Sequence, residues 1–276
     1  MKYKIVADSS SNIYQLDDFN YESVPLKILA GENQYTDNKY LDVNDMLAYF
    51  KEYKGKSSTA CPSTGEWLEA FGDADIIFGV TITSGLSGSF NAAMIAKQQY
   101  EEANPGKKVF IVDSLSAGPE LTLIVNKLRE YMEEKMCYSD IRNKILEYTK
   151  HTHLMFSLSS VENFARNGRV SPAVAKSASA FGIRVVGKAS YEGKLQPTKF
   201  CRGQKKAIKK LFEEMKSHGY KGDKVIIAHT QNEDSANSLK DLIKEEFTHA
   251  DVRVTTNGGL CSYYAEVGGI LVGFES

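Results

Sequence analysis

Three runs in this chain place hydroxyl or acidic side chains where an apolar strand pattern ends: Asp8-Ser9-Ser10-Ser11, Thr83-Ser84-Gly85-Leu86-Ser87-Gly88-Ser89 and Asp113-Ser114. Open α/β sheets bind ligands outside the carboxyl ends of their strands, so chemistry is sought there first. The middle run is the most informative, because it follows a strand pattern and opens a helical one. Gly85 and Gly88 allow tight backbone turns. The free N–H groups at that helix start, with the Ser87 and Ser89 hydroxyls, would form a small anion site. The plainer reading is a well-capped strand-to-helix turn.

Two further segments carry suitable groups. Ser58-Thr59-Ala60-Cys61-Pro62-Ser63 precedes a helix and reads as an N-capping loop, with a ligand contact by Thr59 compatible but not required. Arg166-Asn167-Gly168-Arg169-Val170 sets two arginines around a glycine. Guanidinium forks bind carboxylate or phosphate bidentately, although a glycine helix stop with solvated arginines has the same sequence. Lys199, Arg202, Lys205, Lys206, Lys209 and Lys210 form a basic run. Ile208, Leu211, Phe212 and Met215 fall on the opposite helical face, so this run reads as a solvated surface.

Other chemistries lack their signatures. There is no G-x-x-x-x-G-K-[ST] phosphate loop, and no G-x-G-x-x-G follows the first strand. Gly85-Leu86-Ser87-Gly88 lacks the spacing of a hydrolase nucleophile elbow, and no histidine is evidently placed as its base. His151 and His153 have no metal-ligand pattern around them, and Cys61, Cys137, Cys201 and Cys261 show no metal-finger or redox spacing. The expectation is free thiols, no metal and no cofactor.

The elements that must position these groups alternate in type. KYKIVAD, DIIFGVTIT and KKVFIVDS read as buried strands, and VNDMLAYFKEY, the Ser63–Glu66 capping box with the Trp67 helix, and NAAMIAKQQYEEAN read as helices. Such alternation implies a mostly parallel sheet covered on both faces. After the helix SDIRNKILEYTKHT the pattern changes. FSLSSVENFARNGRV reads as helical, IRVVGKASYEGKLQPTKF as a hairpin with a Tyr-Glu-Gly turn, GQKKAIKKLFEEMKSH as a helix, and VIIAHT, VRVTT and GILVGF as strands of a mixed sheet. The expected fold is two α/β domains, 1–153 and 154–276, with the ligand in the cleft between them.

The 276 residues suit two domains, and 42% hydrophobic with 25% charged residues allows both to bury cores. A formal net charge of −1 gives no electrostatic reason to expect nucleic acid. No apolar run approaches the roughly 18 residues needed to span a bilayer, and the N-terminus lacks signal-peptide character. The expectation is a cytoplasmic protein, not an integral membrane protein, whose membrane contacts are transient.

Taken in order, these pieces resemble the DegV family, which includes the fatty-acid-binding subunits of bacterial fatty acid kinase. The carrying residues are Ile5-Val6-Ala7-Asp8-Ser9-Ser10, Val24-Pro25-Leu26, Thr59-Ala60-Cys61-Pro62-Ser63, Ser84-Gly85-Leu86-Ser87-Gly88-Ser89, Val112-Asp113-Ser114 and Arg166-Asn167-Gly168-Arg169-Val170. Each is weak alone; their order and spacing across nearly the whole chain are fairly specific. The resemblance implies a long-chain fatty acid, such as palmitate, in a buried tunnel. Its carboxylate would be held at Thr59, Ser87 and Gly88, and a separate ATP-binding kinase subunit would phosphorylate it. Arg169 and Arg202 match the family's basic positions and are candidates for partner docking. Two departures stand out: Ala60-Cys61 replaces the usual Ser-Gln, and Tyr264 aligns with a family histidine near the carboxylate. A tyrosine donates a hydrogen bond but supplies no positive charge near neutrality. On these grounds the protein is expected to bind and present lipid without catalysing alone. The competing readings are an acyl or phosphoryl transferase using Ser87, and a regulatory protein with a structural lipid.

Overall fold

The strand β1 (Tyr3–Asp8) sits inside a four-stranded sheet, and its alternate residues feed two different cores. The computed structural model describes residues 1–178 and 182–276. The next elements are β2 (Tyr21–Val24), β3 (Lys27–Ala30), β4 (Asn33–Thr36), α1 (Val43–Glu52), β5 (Ser57–Ala60), α2 (Thr64–Phe71), β6 (Ile76–Thr81), α3 (Ser89–Ala103) and β7 (Lys108–Asp113). The order β2-β1-β6-β7 is parallel throughout. Ile5, Ala7, Phe78 and Val80 point to one face, toward α4 (Pro119–Glu133) and α5 (Tyr138–Tyr148). Val6, Ile77, Val109 and Ile111 point to the other, where Trp67 and Phe71 of α2 and Ala93 and Ala96 of α3 cover them. The period-2 alternation of a strand buried on both faces produces this arrangement. The expected capping box is present: the Ser63 hydroxyl accepts from the Glu66 N–H, and the Glu66 carboxylate accepts from the Ser63 N–H.

The second half comprises β8 (Thr152–Leu158), α6 (Glu162–Arg166), α7 (Pro172–Ala178), β9 (Ile183–Ala189), β10 (Leu195–Arg202), α8 (Gln204–Ser217), β11 (Val225–His229), α9 (Glu233–Glu246), β12 (Val252–Thr256), α10 (Gly259–Ala265) and β13 (Ile270–Glu275). Six strands form the mixed sheet β10-β9-β8-β13-β11-β12, in which only β11 and β12 run parallel. One face packs on α8 and α9 through Ile208, Leu211, Met215, Leu239 and Ile243. The other presents Leu154, Phe156, Leu158 and Leu271 toward α6 and α10. The helix α4 lies between the sheets, against β1 and β6 on one side and β11 and β13 on the other. Its approach to β13 is close, since a Cβ at Gly273 would fall 2.5 Å from the Glu120 nitrogen.

Two expectations are corrected here. Phe156, Ser157 and Leu158 are strand rather than helix: Phe156 opposes Gly187 on β9 and Leu271 on β13, and the helix runs only over Glu162–Arg166. Cross-strand pairing in a central position overrides the weak local preference of a Ser-rich run. The residues Ser58–Ala60, read as part of a capping loop, belong to the strand Ser57–Ala60 of a small sheet β4-β3-β5. Strands such as NQYT and SSTA carry no apolar alternation, so periodicity does not reveal them. The mixed sheet begins at Thr152.

Candidate functional site

A cavity of about 310 Å³ lies between the carboxyl end of the parallel sheet and the inner face of the mixed sheet. The first half contributes Thr59–Cys61, Ile82, Thr83 and the Leu86–Gly88 loop; the second contributes Leu154, Phe156, Leu158, Leu195 and Leu271 from strands, with Phe164, Arg169 and Tyr264 from the helical segments. The body is apolar. Its polar lining residues are Thr59, Thr83, Ser87, Ser116, Arg169, Lys194 and Tyr264, and the lining holds no Asp, Glu or His among the described residues.

The loop carrying Ser87 is held from below. The Asp8 carboxylate, fully buried, accepts from the Ile82 N–H at 2.8 Å and the Ser89 hydroxyl at 2.6 Å, fixing both ends of the turn. Desolvation pushes Asp8 up to about 6, against the lowering effect of these hydrogen bonds. Asp113 accepts from the Ser84 N–H at 3.0 Å. Both strand-end acids are therefore scaffold. Ser89 is also corrected: its hydroxyl is spent on Asp8 and does not face the cavity, while the Ser87 oxygen accepts from the Ser89 N–H at 3.2 Å. The glycines serve a different purpose from the one expected. Neither Gly85 nor Gly88 has a positive φ. A Cβ at Gly85 would lie 2.3 Å from the Glu192 carbonyl oxygen, so this glycine allows the β9–β10 hairpin tip to seat on the loop.

Thr59, on β5, meets Tyr264, on α10, with 2.8 Å between their hydroxyls. The Tyr264 ring packs on Phe164 at 4.7 Å between centroids. Burial raises the Tyr264 phenol above its ordinary value; its bond to Thr59 and the nearby Arg169 charge partly oppose this. The helix carrying Tyr264 is anchored by Asp37, which accepts from the Gly259 N–H at 2.8 Å and the Leu260 N–H at 3.1 Å. Carboxylate at a helix N-terminus satisfies orphan donors and complements the dipole.

The Arg166–Val170 motif folds as a helix-terminating cap. Asn167 ends α6, Gly168 adopts φ +71°, the Gly168 N–H bonds to the Ala165 carbonyl, and the Arg169 N–H bonds to the Phe164 carbonyl at 2.8 Å. This is the six-to-one and five-to-two pairing of a Schellman motif, and it needs a residue without a Cβ at the left-handed position. Its consequence is that the chain reverses and Arg169 enters the cavity wall. Its Nε donates to the Leu86 carbonyl at 3.3 Å, bracing the Ser87 loop from the second half, and another guanidinium nitrogen donates to the Asn167 carbonyl. Arg169 has no acidic partner among the described residues. Arg166, by contrast, pairs with Glu162 on its own helix.

Thr59, Ser87, Gly88 and Tyr264 thus line one cavity, and Arg169 lines it with them. Arg202 is exposed at the end of β10 and is not part of the lining. The contribution of β8 was hidden because Phe156–Leu158 was read as helix, and no sequence signal distinguished the Arg169 of a cap from one aimed inward. The four cysteines are unpaired. No group of three or more His, Cys, Asp or Glu able to hold a metal occurs among the described residues.

A family model described as "Uncharacterised protein, DegV family" matches residues 2–275. A DegV domain-containing protein of Streptococcus gordonii is 39% identical over 279 residues, covering 100% of this chain and 99% of its own. A DegV family protein from Eubacterium eligens, loaded with heptadecanoic acid, superposes with a TM-score of 0.96 at 43% identity over 99% of each chain. The Streptococcus pneumoniae Fatty Acid Kinase (Fak) B3 protein, loaded with linoleic acid, gives a TM-score of 0.98 at 38% identity over 100% of this chain and 99% of its own.

Proposed function

This chain belongs to the DegV family, and from that premise we propose that it binds a long-chain fatty acid in the cavity and presents the carboxylate to a partner. The observation that carries this reading is the lining itself: an apolar body, the hydroxyls of Thr59, Ser87 and Tyr264, an arginine without an acidic partner, a lysine (Lys194) paired with Glu192, and no acid anywhere in the wall among the described residues. Such a wall suits an amphipathic anion. An acyl chain gains about 0.8 kcal/mol per buried CH₂. An ionised carboxylate is costly to bury without donors, and the hydroxyls of Thr59 and Ser87 with the N–H groups at the start of α3 supply them. Arg169 contributes the cation that Tyr264 lacks. This shifts its expected role from a docking surface to the head group, and leaves the exposed Arg202 as the docking candidate.

The protein does not catalyse alone on this reading. A nucleophilic Ser87 needs a base, and no histidine or carboxylate lines the cavity among the described residues. An ATP-binding kinase subunit, reaching the carboxylate at the Ser87 end, would supply the phosphoryl group. No helix of the described residues is long and apolar enough to cross a membrane, in keeping with a carrier working in the cytoplasm. Denaturing the purified protein and analysing the organic extract by mass spectrometry tests the reading. About one fatty acid per chain is expected; an empty extract combined with turnover of an activated ester or ATP by the isolated protein would favour the Ser87 transferase.

A further inference from the structure

Three residues at the polar end of the cavity come from three separate elements: Thr59 from β5, Tyr264 from α10 and Arg169 from the cap after α6. A second layer behind them repeats the arrangement. Ser57 lies two residues before Thr59, Tyr263 one before Tyr264, and Asn167 two before Arg169. These three are joined through one atom, the Tyr263 hydroxyl. It lies 2.7 Å from the Ser57 hydroxyl and accepts from the Asn167 side-chain amide at 3.0 Å. The same amide nitrogen donates to the Asn163 carbonyl at 2.9 Å, and the Asn167 main-chain carbonyl accepts from the Arg169 guanidinium. Tyr263 is 1% exposed, and its ring packs edge-on against Phe50 at 5.1 Å. The phenol therefore has one fixed position, and it is a poor candidate for ligand contact because it does not line the cavity.

We infer that Tyr263 is the positioning residue of the head-group site: its hydroxyl sets β5, α10 and the arginine-bearing cap in register, so that Thr59, Tyr264 and Arg169 converge on one anion. The inference rests on the fatty-acid reading above and deepens it. A buried side-chain network that is fully satisfied rigidifies its members, and losing one node releases all of them. Without the Tyr263 hydroxyl, β5 loses its side-chain tie to α10 at Ser57, and Asn167, whose backbone carbonyl holds Arg169, loses one of its two side-chain anchors while keeping the main-chain bonds of the cap. The apolar wall built by Leu154, Phe156 and Leu158 of β8, Leu271 of β13 and Ala189 and Leu195 of the hairpin lies outside this node, although Phe164 of α6 and Leu260 and Ala265 of α10 share its elements.

The variant Tyr263→Phe removes the hydroxyl and keeps the ring in its Phe50 contact. Its affinities for hexadecanoic acid and hexadecan-1-ol are compared with those of the wild-type protein at pH 7.5, alongside the thermal midpoint. The wild type is expected to prefer the acid. In Tyr263→Phe that preference falls about five- to tenfold, the loss of one to two buried hydrogen bonds' worth of geometry, while alcohol affinity stays within about twofold. Asn167→Ala should lower the same preference, and the two changes together should cost less than their product, because they act on one network. Ser57→Thr keeps a hydroxyl and should retain the wild-type preference, whereas Ser57→Ala should lose part of it. An unchanged preference in Tyr263→Phe, or an equal loss for acid and alcohol, overturns the positioning role and leaves a merely structural one. A wild type that binds both ligands without preferring the acid overturns the head-group reading, and this inference with it.

Discussion

Thr59 and Ser87 reach the cavity from a strand and from a loop, and neither owes its place to the other. On the proposed reading each donates one hydrogen bond to a charged acceptor, an interaction of about 1.5–3 kcal/mol. Thr59→Val with Ser87→Ala should therefore weaken fatty-acid binding by roughly a hundredfold or more, read by isothermal titration; wild-type affinity in the double variant would move the carboxylate elsewhere. The pH dependence follows from the same residues. Guanidinium groups in proteins carry their charge at every pH in the accessible range. Burial raises Tyr264 from a value already far above neutrality, so it stays neutral. Affinity should be nearly flat between about pH 6 and 8, where the donors also keep the ligand ionised. Tyr264→Phe should cost about 1 kcal/mol. Tyr264→His adds a cation as pH falls through about 6.5, so binding should tighten toward low pH. A steep wild-type profile would reveal a titrating group absent from the lining described above.

At the scale of elements, the cavity depends on loops braced by acids and on a hairpin resting against one of them. The β9–β10 tip contacts the Thr83–Gly85 turn, where Gly193 adopts φ +67° and Gly85 admits the Glu192 carbonyl. Gly85→Ala would press a Cβ against that backbone oxygen, which cannot rotate away as a flexible side chain would. The variant should lose about 1–3 kcal/mol of stability through overpacking and release a fluorescent fatty acid faster than wild type. Unchanged melting and release would mean that the tip moves aside freely. The hairpin itself was legible from IRVVGKASYEGKLQPTKF, because alternation and a turn glycine are local signals. Its seat on the loop after β6 was not, since that contact joins segments more than a hundred residues apart.

Across the whole molecule, α4 carries a buried acid into the junction of the two halves. Glu120 accepts from the Thr152 hydroxyl of β8 at 2.8 Å, and desolvation pushes its carboxyl up to about 7. A carboxyl with a raised folded-state value contributes stability that is present at low pH and lost as pH rises through that value. Asp8 acts in the same direction around 6, whereas His153 and His229, both lowered by burial, act oppositely as pH falls. The comparison of wild type with Glu120→Gln isolates the Glu120 contribution. The glutamine variant should gain stability relative to wild type on going from pH 5.5 to pH 8, on the order of 1–3 kcal/mol, measured by chemical denaturation. A difference independent of pH would mean that Glu120 is ionised throughout. Partner docking also belongs to this scale. Charge reversal at Arg202 should abolish kinase-dependent phosphorylation and leave lipid content intact, whereas reversal at Arg169 should remove the lipid itself. Normal phosphorylation by Arg202→Glu would exclude that surface.

The sequence by itself determined the local units and their chemistry: the three buried parallel strands, the Ser63–Glu66 capping box, the strand-to-helix turn at Ser87, and the glycine stop at Gly168. Each is specified by residues within a few positions of one another, through alternation, side-chain capping or a backbone angle that only glycine adopts freely. Tertiary structure alone decided which hydroxyls face the cavity and which are consumed by scaffold acids, as Ser87 and Ser89 illustrate two residues apart. It also made a strand of Phe156–Leu158 and turned Arg169 inward. Those outcomes depend on partners distant in the chain, and burial forces every polar group there to find whichever partner the assembled fold brings within reach.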